Sequence, residues 1–169
     1  MVYPASSLDI RRVSLADVPI VFTLMRELAE YEKLEAPDEA AMQRFIRDAF
    51  SEHPRVESYL VYVHNEPAGY AIILETYSSF ACKPTLYLED IFIRAQFRSH
   101  GIGKHVMRFI VDQAMRRDCG RIEWQVLDWN KPAISFYDAI GATPMKQWIP
   151  YRISADSFDI VRSTLSSTH

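Results

Sequence analysis

The segment from Leu88 to Lys104 combines residue types that could bind phosphate and move a proton. Two adjacent carboxylates, Glu89 and Asp90, interrupt an apolar run, and the pattern Arg-x-x-Gly-x-Gly follows over Arg98–Gly103. Backbone N–H groups at the start of a helix have no intrahelical acceptor, so a loop that opens a helix can hold phosphate. A carboxylate buried among apolar residues needs a partner or a function, and a raised pKa suits it to accept a proton. The segment therefore predicts phosphate binding beside a proton-transfer group.

The glycine loop differs from the two common nucleotide-binding patterns. A Walker motif needs Gly where Arg98 stands and Ser or Thr where His105 stands, and a dinucleotide fingerprint needs Gly where Val106 stands. What remains is a short pyrophosphate cradle with Arg98 and Lys104 as charged partners, or a tight turn in which glycine supplies a positive φ. The predicted cradle consists of Ser99, His100, Gly101, Ile102, Gly103 and Lys104.

Glu89 and Asp90 should point to opposite faces of their strand if its side chains alternate strictly. The apolar–polar alternation breaks at this pair, which indicates a bulge or a splay of the sheet. We expect Glu89 to be functional and Asp90 to be structural. The alternative for each is an ordinary salt bridge or a capped turn.

Hydrophobic periodicity predicts the order β-α-α-β-β-β-α-β-α-β, which is an α/β fold with one mixed sheet. The sheet should be antiparallel in the first half and contain β-α-β crossovers in the second, within one domain over 1–169 whose core spans about 10–153. The predicted strands are Ile10–Val13, Ser58–Val63, Gly69–Thr76, Thr85–Ile93, Arg121–Trp129 and Thr143–Ile153. The predicted helices start near Asp17, Pro37, Lys104 and Asn130, with Asn65–Ala68 as the link between the second and third strands and Gly120 as a helix C-cap.

Composition narrows the class of protein. The chain has 169 residues, 49% of them hydrophobic and 24% charged, with a net charge of −3, which is typical of a soluble domain and predicts neither a nucleic-acid nor a membrane partner. The N-terminus lacks the pattern of a secretory signal. Cys82 and Cys119 stand alone, which favours reduced thiols in a cytoplasmic protein. The histidines do not have metal-ligand spacing, so no metal is expected.

A second motif, Trp-Asn-x-Pro-Ala-x-x-Phe-Tyr-x-x-x-Gly-Ala, spans Trp129–Ala142. Together with the glycine loop it resembles the GNAT superfamily of N-acetyltransferases, over roughly residues 10 to 153. The chain is most similar to the diamine (spermidine/spermine) branch through Glu27–Glu32, Leu86–Asp90 and Trp129–Pro132. The resemblance implies a central mixed sheet flanked by helices and splayed between its fourth and fifth strands, acetyl-CoA as co-substrate, and a homodimer.

The resemblance also implies roles for individual residues. The backbone of Ile91, Phe92 and Ile93 would pair with the pantetheine arm, Ser99–Lys104 would hold the pyrophosphate, and Tyr137 would be the general acid. In its own sequence context, a tyrosine such as Tyr137 is more often a packed aromatic residue than a catalytic acid. Further acetyl-CoA contacts are implied for Asn130, Pro132 and Ala133, and substrate-facing positions for Tyr31, Glu32, Glu89, Glu123, Trp124 and Gln125.

The expected reaction is acetyl transfer to a primary amine, most simply a small di- or polyamine. A protonated amine, with a pKa of about 10.4, must lose a proton before it attacks the thioester, and Glu89 would accept that proton directly or through water. Glu123–Gln125 and Asp128 depart from the branch pattern and leave the amine open. Alternative acceptors are an amino acid such as a lysine analogue, an aminoglycoside or a protein amine. The remaining alternatives are a catalytically silent CoA-binding module and a phosphate-binding protein of another fold.

Overall fold

A five-stranded mixed sheet organises the larger part of the chain. The computed structural model describes residues 7–166, which divide into one unit that ends at Gln125 and a second that begins at Val126. The strands are β1 (Leu8–Arg12), β2 (Glu57–Val63), β3 (Glu66–Ser78), β4 (Lys83–Ile93) and β5 (Arg121–Glu123). The helices are α1 (Val18–Glu32), α2 (Glu39–Ala49), α3 (Ile102–Arg116), α4 (Lys131–Ala139) and α5 (Phe158–Ser166). Single 3₁₀ turns cover Leu15–Asp17, Ala95–Phe97 and Ala155–Ser157.

The sheet has the mixed α/β topology that the sequence predicts. Its order is β1-β2-β3-β4-β5, with the first four strands antiparallel and β5 parallel to β4. One face carries a core cluster to which α1 contributes Val21 and Leu24. On the other face Tyr59 meets Phe109 of α3, with ring centroids 4.9 Å apart. Helices therefore cover both faces of the sheet.

A β-bulge lies at the carboxylate pair. Ile72 is paired with Asp90, but the next residue, Ile73, is paired with Leu88, so Glu89 is the extra residue of β4. Paired residues share a face and adjacent ones do not, so Leu88 and Asp90 lie on opposite faces although they are two residues apart. The predicted bulge is confirmed, and it changes which face each residue of β4 takes from this point on.

The sheet splays between β4 and β5, as the resemblance implied. Pairing begins at Thr85 with Arg121 and ends at Tyr87 with Glu123, while β4 continues to Ile93. The prediction that the fifth strand runs to Trp129 is wrong, since it ends at Glu123. Bulges end ladder pairing locally, and this ladder stops two residues before the bulge.

Two turn predictions are also wrong. The link between β2 and β3 is the pair His64-Asn65, both with left-handed φ values of 48° and 64°, so β3 already begins at Glu66. Such a two-residue turn suits the twist of a hairpin. Gly120 does not cap α3, because Asp118 takes the left-handed position with φ of 50°. Gly120 instead donates its N–H to the carbonyl of Pro84 at 2.8 Å.

The second unit contains α4 and α5. Asn130 caps α4 by accepting the Ala133 N–H at 3.3 Å, and Gly141 follows the helix with φ of 86°, as predicted. The predicted strand over Thr143–Ile153 is wrong: the segment is irregular, and α5 follows it. Pro144 and Pro150 cannot donate to a sheet ladder, which explains the failure.

No helix within residues 7–166 combines the length and the apolar character that a bilayer crossing requires. The prediction of one domain over 1–169 stays a prediction.

Candidate active site

A buried tyrosine and a half-buried carboxylate face each other across the β3–β4 ladder. Tyr70, only 1% exposed, donates its phenolic O–H to Oδ2 of Asp90 at 3.3 Å. Tyr70 is paired with Phe92, and Asp90 is paired with Ile72, so the two side chains are diagonal neighbours on the face that α1 covers. The hydrogen bond therefore crosses the sheet just beyond the bulge.

Burial is the largest cause that raises the pKa of Asp90 to about 6, and the negative charges of Glu89 and Glu32 contribute to the same shift. The hydrogen bond from Tyr70 opposes it. The pKa of the Tyr70 phenol is also raised, first by burial and then by Asp90, so this hydroxyl remains a donor at neutral pH. Burial raises the pKa of Glu32 as well. The pKa of Asp90 is thus moved towards neutrality, which is where a general base is most effective.

Glu89 differs from Asp90 in its exposure. The side chain of Glu89 is exposed, so the expectation that it is buried is wrong. The less exposed carboxylate with the raised pKa is Asp90, because the bulge places Asp90 on the α1 face.

The other residues expected to face the substrate fall into two groups. Tyr31 and Glu32 form the last turn of α1 and are half-buried, and Glu32 is near enough to Tyr70 and Asp90 for its charge to act on both. Glu123 ends β5 and forms an ion pair with Arg121 at 2.9 Å. Trp124 and Gln125 follow outside the strand, Trp124 half-buried and Gln125 exposed.

Tyr87 connects the second group to the bulge. Its pKa is raised by burial and by the charges of Glu89 and Glu123, so both carboxylates act on one phenol. The structure thus brings Glu32, Glu89 and Glu123 into the electrostatic surroundings of β4.

The predicted cradle lies at the N-terminus of α3. Ser99 and Gly101 have left-handed φ values of 64° and 83°, and Gly101 is the N-cap, with no side chain bonded to the helix end. The first-turn N–H groups of a helix lack intrahelical acceptors, and Ile102, which is 1% exposed, anchors this turn in the core. Lys104 is exposed and His100 half-buried. This donor set fits a pyrophosphate.

The end of β4 offers backbone groups to an extended ligand. On one edge Ile91, Phe92 and Ile93 pair with β3. On the other edge β5 pairs only as far as Tyr87, so within residues 7–166 no strand pairs with this edge beyond the bulge. An amide-containing arm could add to it as a strand.

Arg98 lies between the cradle and α1. Its guanidinium carbon is 4.7 Å from the ring centroid of Tyr31 and 5.6 Å from that of Phe92. Its Nε donates to the carbonyl of Ile93 at 2.7 Å. Tyr31, Phe92 and Arg98 line a pocket of about 360 Å³ together with Arg94, two further residues of α1 and two residues of the 3₁₀ turn at Ala95–Phe97. Arg98 is thus half-buried against α1.

The second unit carries the remaining predicted residues. Pro132 and Ala133 lie in the first turn of α4, directly after Asn130, its cap. Tyr137 lies one turn further along and is half-buried, with its ring 5.5 Å from that of Phe136. Their expected contacts with acetyl-CoA stay predictions. No group of three or more metal-ligating side chains occurs within residues 7–166.

Sequence reasoning missed Tyr70. In an aromatic, β-branched strand a tyrosine reads as a core residue, and nothing local shows which residue its hydroxyl reaches. The usable signal was the break in alternation at Glu89 and Asp90, because a bulge changes which of the two carboxylates faces the core.

Comparison with known proteins identifies the family. A model of the acetyltransferase (GNAT) family matches residues 21–142. The thialysine N-epsilon-acetyltransferase of Bos taurus is 30% identical over 159 residues, which cover 88% of this chain and 93% of that protein. The L-ornithine N5-acetyltransferase NATA1 of Arabidopsis thaliana is 38% identical over 94 residues. These residues cover 56% of this chain, but the match spans only 41% of the length of the plant protein.

Solved structures share the fold. An integron cassette protein from the mobile metagenome of V. cholerae superposes with a TM-score of 0.77 at 24% identity and covers 96% of this chain and 99% of its own. AAC(6')-Iy, solved with the bisubstrate analogue CoA-S-monomethyl-acetylneamine, gives a TM-score of 0.71 at 19% identity over 88% of this chain and 99% of its own. The family model covers well over half of the chain and includes both the bulged strand and the glycine loop. The chain therefore belongs to the GNAT family and is an acetyl-CoA-dependent N-acetyltransferase that acts on amines.

Proposed function

We propose that the chain acetylates a primary amine of a small aliphatic di- or polyamine. The observation that carries the proposal is the group of carboxylates Glu32, Glu89 and Asp90 gathered around the Tyr70 hydroxyl beside the open edge of β4. A substrate with a second positive charge gains from several carboxylates at once, since opposite charges attract strongly where water is partly excluded.

The carboxylates would also remove the proton from the attacking nitrogen. An aliphatic amine has a pKa of about 10.4 and is almost entirely protonated at neutral pH. We assign the base to Glu89, which is exposed and can accept the proton directly or through water. Asp90 stands next to it with a pKa of about 6, to which the charge of Glu89 contributes, so we propose that the two carboxylates act as a pair.

The residues that would hold acetyl-CoA follow from the cradle and the open strand edge. Backbone N–H groups of Ser99–Lys104 would bind the pyrophosphate, and Ile91, Phe92 and Ile93 would pair with the pantetheine arm. Asn130, Pro132 and Ala133 are proposed as further contacts. When bound, the thioester supplies an acetyl group activated toward attack by an amine. Tyr137 is proposed to protonate the departing sulfur, by its place in the Trp129–Ala142 motif.

A second candidate acceptor is the side-chain amine of a diamino acid. The similarity to the thialysine and L-ornithine acetyltransferases supports it. Aminoglycosides and protein amines are further candidate acceptors, and the amine panel described below distinguishes them from the first two. A homodimer and a cytoplasmic location stay predictions that sizing chromatography and fractionation would test.

The direct experiment is a panel of amines assayed by release of the free thiol of CoA. Putrescine, spermidine and spermine stand beside thialysine, L-ornithine, an aminoglycoside and a lysine peptide. Highest kcat/KM for the di- or polyamines supports the proposal, and highest kcat/KM for thialysine or L-ornithine replaces it with the second candidate. Thermal stabilisation by acetyl-CoA without turnover of any amine would contradict both.

Variants of the carboxylate pair locate the base. Glu89→Gln should lower kcat/KM and flatten the acid limb of the pH–rate profile, while Asp90→Asn should shift that limb without removing it. The reverse pattern would transfer the role of base to Asp90. Glu66→Gln is the control, because Glu66 is an exposed carboxylate at the start of β3.

A further inference from the structure

The guanidinium of Arg98 is held by three neighbours. Tyr31 and Phe92 present their rings at 4.7 Å and 5.6 Å, and the carbonyl of Ile93 accepts from Nε at 2.7 Å. A planar guanidinium stacks on aromatic rings while it donates in its own plane, and an ammonium group cannot reproduce both contacts. Arg98 is therefore fixed by contacts with protein, and these differ from the contacts expected of a phosphate ligand.

These contacts join elements with different tasks. Tyr31 belongs to the last turn of α1 and precedes Glu32, whose charge acts on Asp90 and Tyr70. Ile93 ends the open edge of β4. Arg98 itself is the first residue of the loop that carries the cradle. The side chain of Arg98 thus connects three elements: the loop that would bind acetyl-CoA, the end of β4, and the last turn of α1, which carries Glu32.

An ion pair between Arg94 and Glu27 fixes the base of this arrangement. Arg94, just after β4, binds Glu27 of α1 through its guanidinium, with Nε at 2.9 Å and 3.1 Å from the two carboxylate oxygens. Arg94 also donates to the carbonyl of Pro67 at 2.8 Å. One turn of α1 is therefore already bound to the end of β4, and Arg98 extends the connection by one further turn to Tyr31.

We infer that Arg98 is a positioning residue that couples the donor loop to the acceptor side through Tyr31. Lys104 and the backbone N–H groups of the cradle provide the phosphate contacts. Binding of acetyl-CoA to the loop then orders the last turn of α1, and Glu32 is placed for the amine. The acceptor half of this inference rests on the proposed function, and the ordering of α1 does not.

The test compares Arg98→Lys with Lys104→Gln. Arg98→Lys keeps the charge and loses the stacking, so kcat/KM for the best amine of the panel should fall about tenfold. The fall should come from a higher KM for the amine, and the Kd of acetyl-CoA should change little. Lys104→Gln should instead weaken acetyl-CoA. Tyr31→Leu should have the same kinetic effect as Arg98→Lys. The variant that carries both substitutions should lose no more activity than either single variant, because substitutions of coupled residues have non-additive effects. Three results would overturn the inference. Arg98→Lys and Lys104→Gln could lose acetyl-CoA affinity equally, or Arg98→Lys could keep the amine kinetics of the wild type. The third is an effect of the double variant equal to the product of the two single effects.

Hydrogen exchange provides a readout that needs no amine. In the wild-type enzyme, acetyl-CoA should increase protection of the amides of residues 28–32, and in Arg98→Lys this increase should be lost while the cradle amides remain protected. Protection of residues 28–32 that is the same in both proteins would refute the coupling. This experiment reports on α1 alone and uses no amine. An error in the proposed acceptor therefore leaves its result unchanged, whereas an error in the role of Arg98 changes it.

Discussion

The phenol of Tyr70 donates a hydrogen bond to Asp90 across the β3–β4 ladder, at 3.3 Å between Oη and Oδ2. Asp90 reaches this face only because Glu89 is inserted as a bulge between Leu88 and Asp90. The bulge thus gives two adjacent carboxylates different surroundings, with Glu89 exposed and Asp90 beside a buried phenol. Two carboxylates in different environments can take different parts in proton transfer.

Tyr70→Phe should move to higher pH the part of the acid limb that Asp90, the second member of the carboxylate pair, contributes to the pH–rate profile. The hydrogen bond from Tyr70 favours the ionised form of Asp90 and lowers its pKa, so its loss raises that pKa above the present value of about 6. A hydrogen bond to a charged group corresponds to a shift of about one pH unit. The measurement is kcat/KM from pH 5 to 9. Tyr62→Phe removes a hydroxyl from the same core cluster and should leave the profile unchanged, and an unchanged profile in Tyr70→Phe would exclude Asp90 from the reaction.

Asp90→Asn should stabilise the fold at neutral pH and not at acidic pH. The folded-state pKa of Asp90 is about 6, against an ordinary value of 3.8, so the folded protein binds the proton more tightly than the unfolded chain. Ionisation therefore costs stability, and the cost grows as the pH rises from about 4 to about 6 and is constant above that. Its upper limit is about 3 kcal/mol.

Urea unfolding at a series of pH values measures this difference. The free energies of unfolding of wild type and Asp90→Asn should agree near pH 3.5 and separate by pH 6.5. Parallel curves over that range would show that Asp90 titrates normally. Asp112→Asn, at an exposed position on α3, is the matched control and should follow the wild type.

Local patterns were sufficient to predict most of the fold. A helix does start near Pro37, with Asp38 as its N-cap, and the break at Glu89 and Asp90 did mark a bulge. These features depend on neighbouring residues. By contrast, the face of Asp90 depends on its register with Ile72, and one partner of Arg98, Tyr31, lies in α1, more than 60 positions earlier. Tertiary contacts of this kind leave no periodic signal in the sequence.

Gly69→Ala should damage acetyl-CoA binding through the backbone of β4. A Cβ at Gly69 would lie 2.1 Å from the carbonyl oxygen of Phe92 and 2.8 Å from Cδ1 of Ile93. The backbone of β4 must therefore move at the residues that are proposed to pair with the pantetheine arm. We expect a loss of about 1–3 kcal/mol in the free energy of unfolding and a weaker Kd for acetyl-CoA.

Gly120→Ala is the control for this steric argument. Its added Cβ would meet Cβ of Lys83 at 3.2 Å, a contact that a shift of a few tenths of an ångström relieves. Urea unfolding and calorimetric titration with acetyl-CoA compare the two variants. Equal effects at both positions would mean that the close approach of Gly69 to Phe92 has no special importance.

Ser99 occupies a left-handed conformation, with φ of 64°, which β-branched residues tolerate poorly. Ser99→Gly should preserve or raise stability, by up to about 1 kcal/mol, and keep acetyl-CoA affinity. Ser99→Val should lower both. Ser99→Ala separates the effect of the hydroxyl from that of the backbone. An acetyl-CoA affinity near that of the wild type indicates that the cradle binds through its backbone geometry. A loss of affinity equal to that of Ser99→Val indicates that the hydroxyl itself binds the ligand. Thermal unfolding and titration with acetyl-CoA provide both measurements.

Tyr137→Phe should lower kcat by about 10²-fold, the effect expected when a general acid is lost, and leave the Kd of acetyl-CoA nearly unchanged. The substitution keeps the ring, which lies 5.5 Å from Phe136, so packing within α4 should survive and thermal unfolding should be close to that of wild type. Tyr151→Phe is the matched control in the same unit, because Tyr151 is 92% exposed. Steady-state kinetics at saturating acetyl-CoA test the difference. A kcat for Tyr137→Phe equal to that of Tyr151→Phe would mean that the departing thiolate takes its proton from another group or from water.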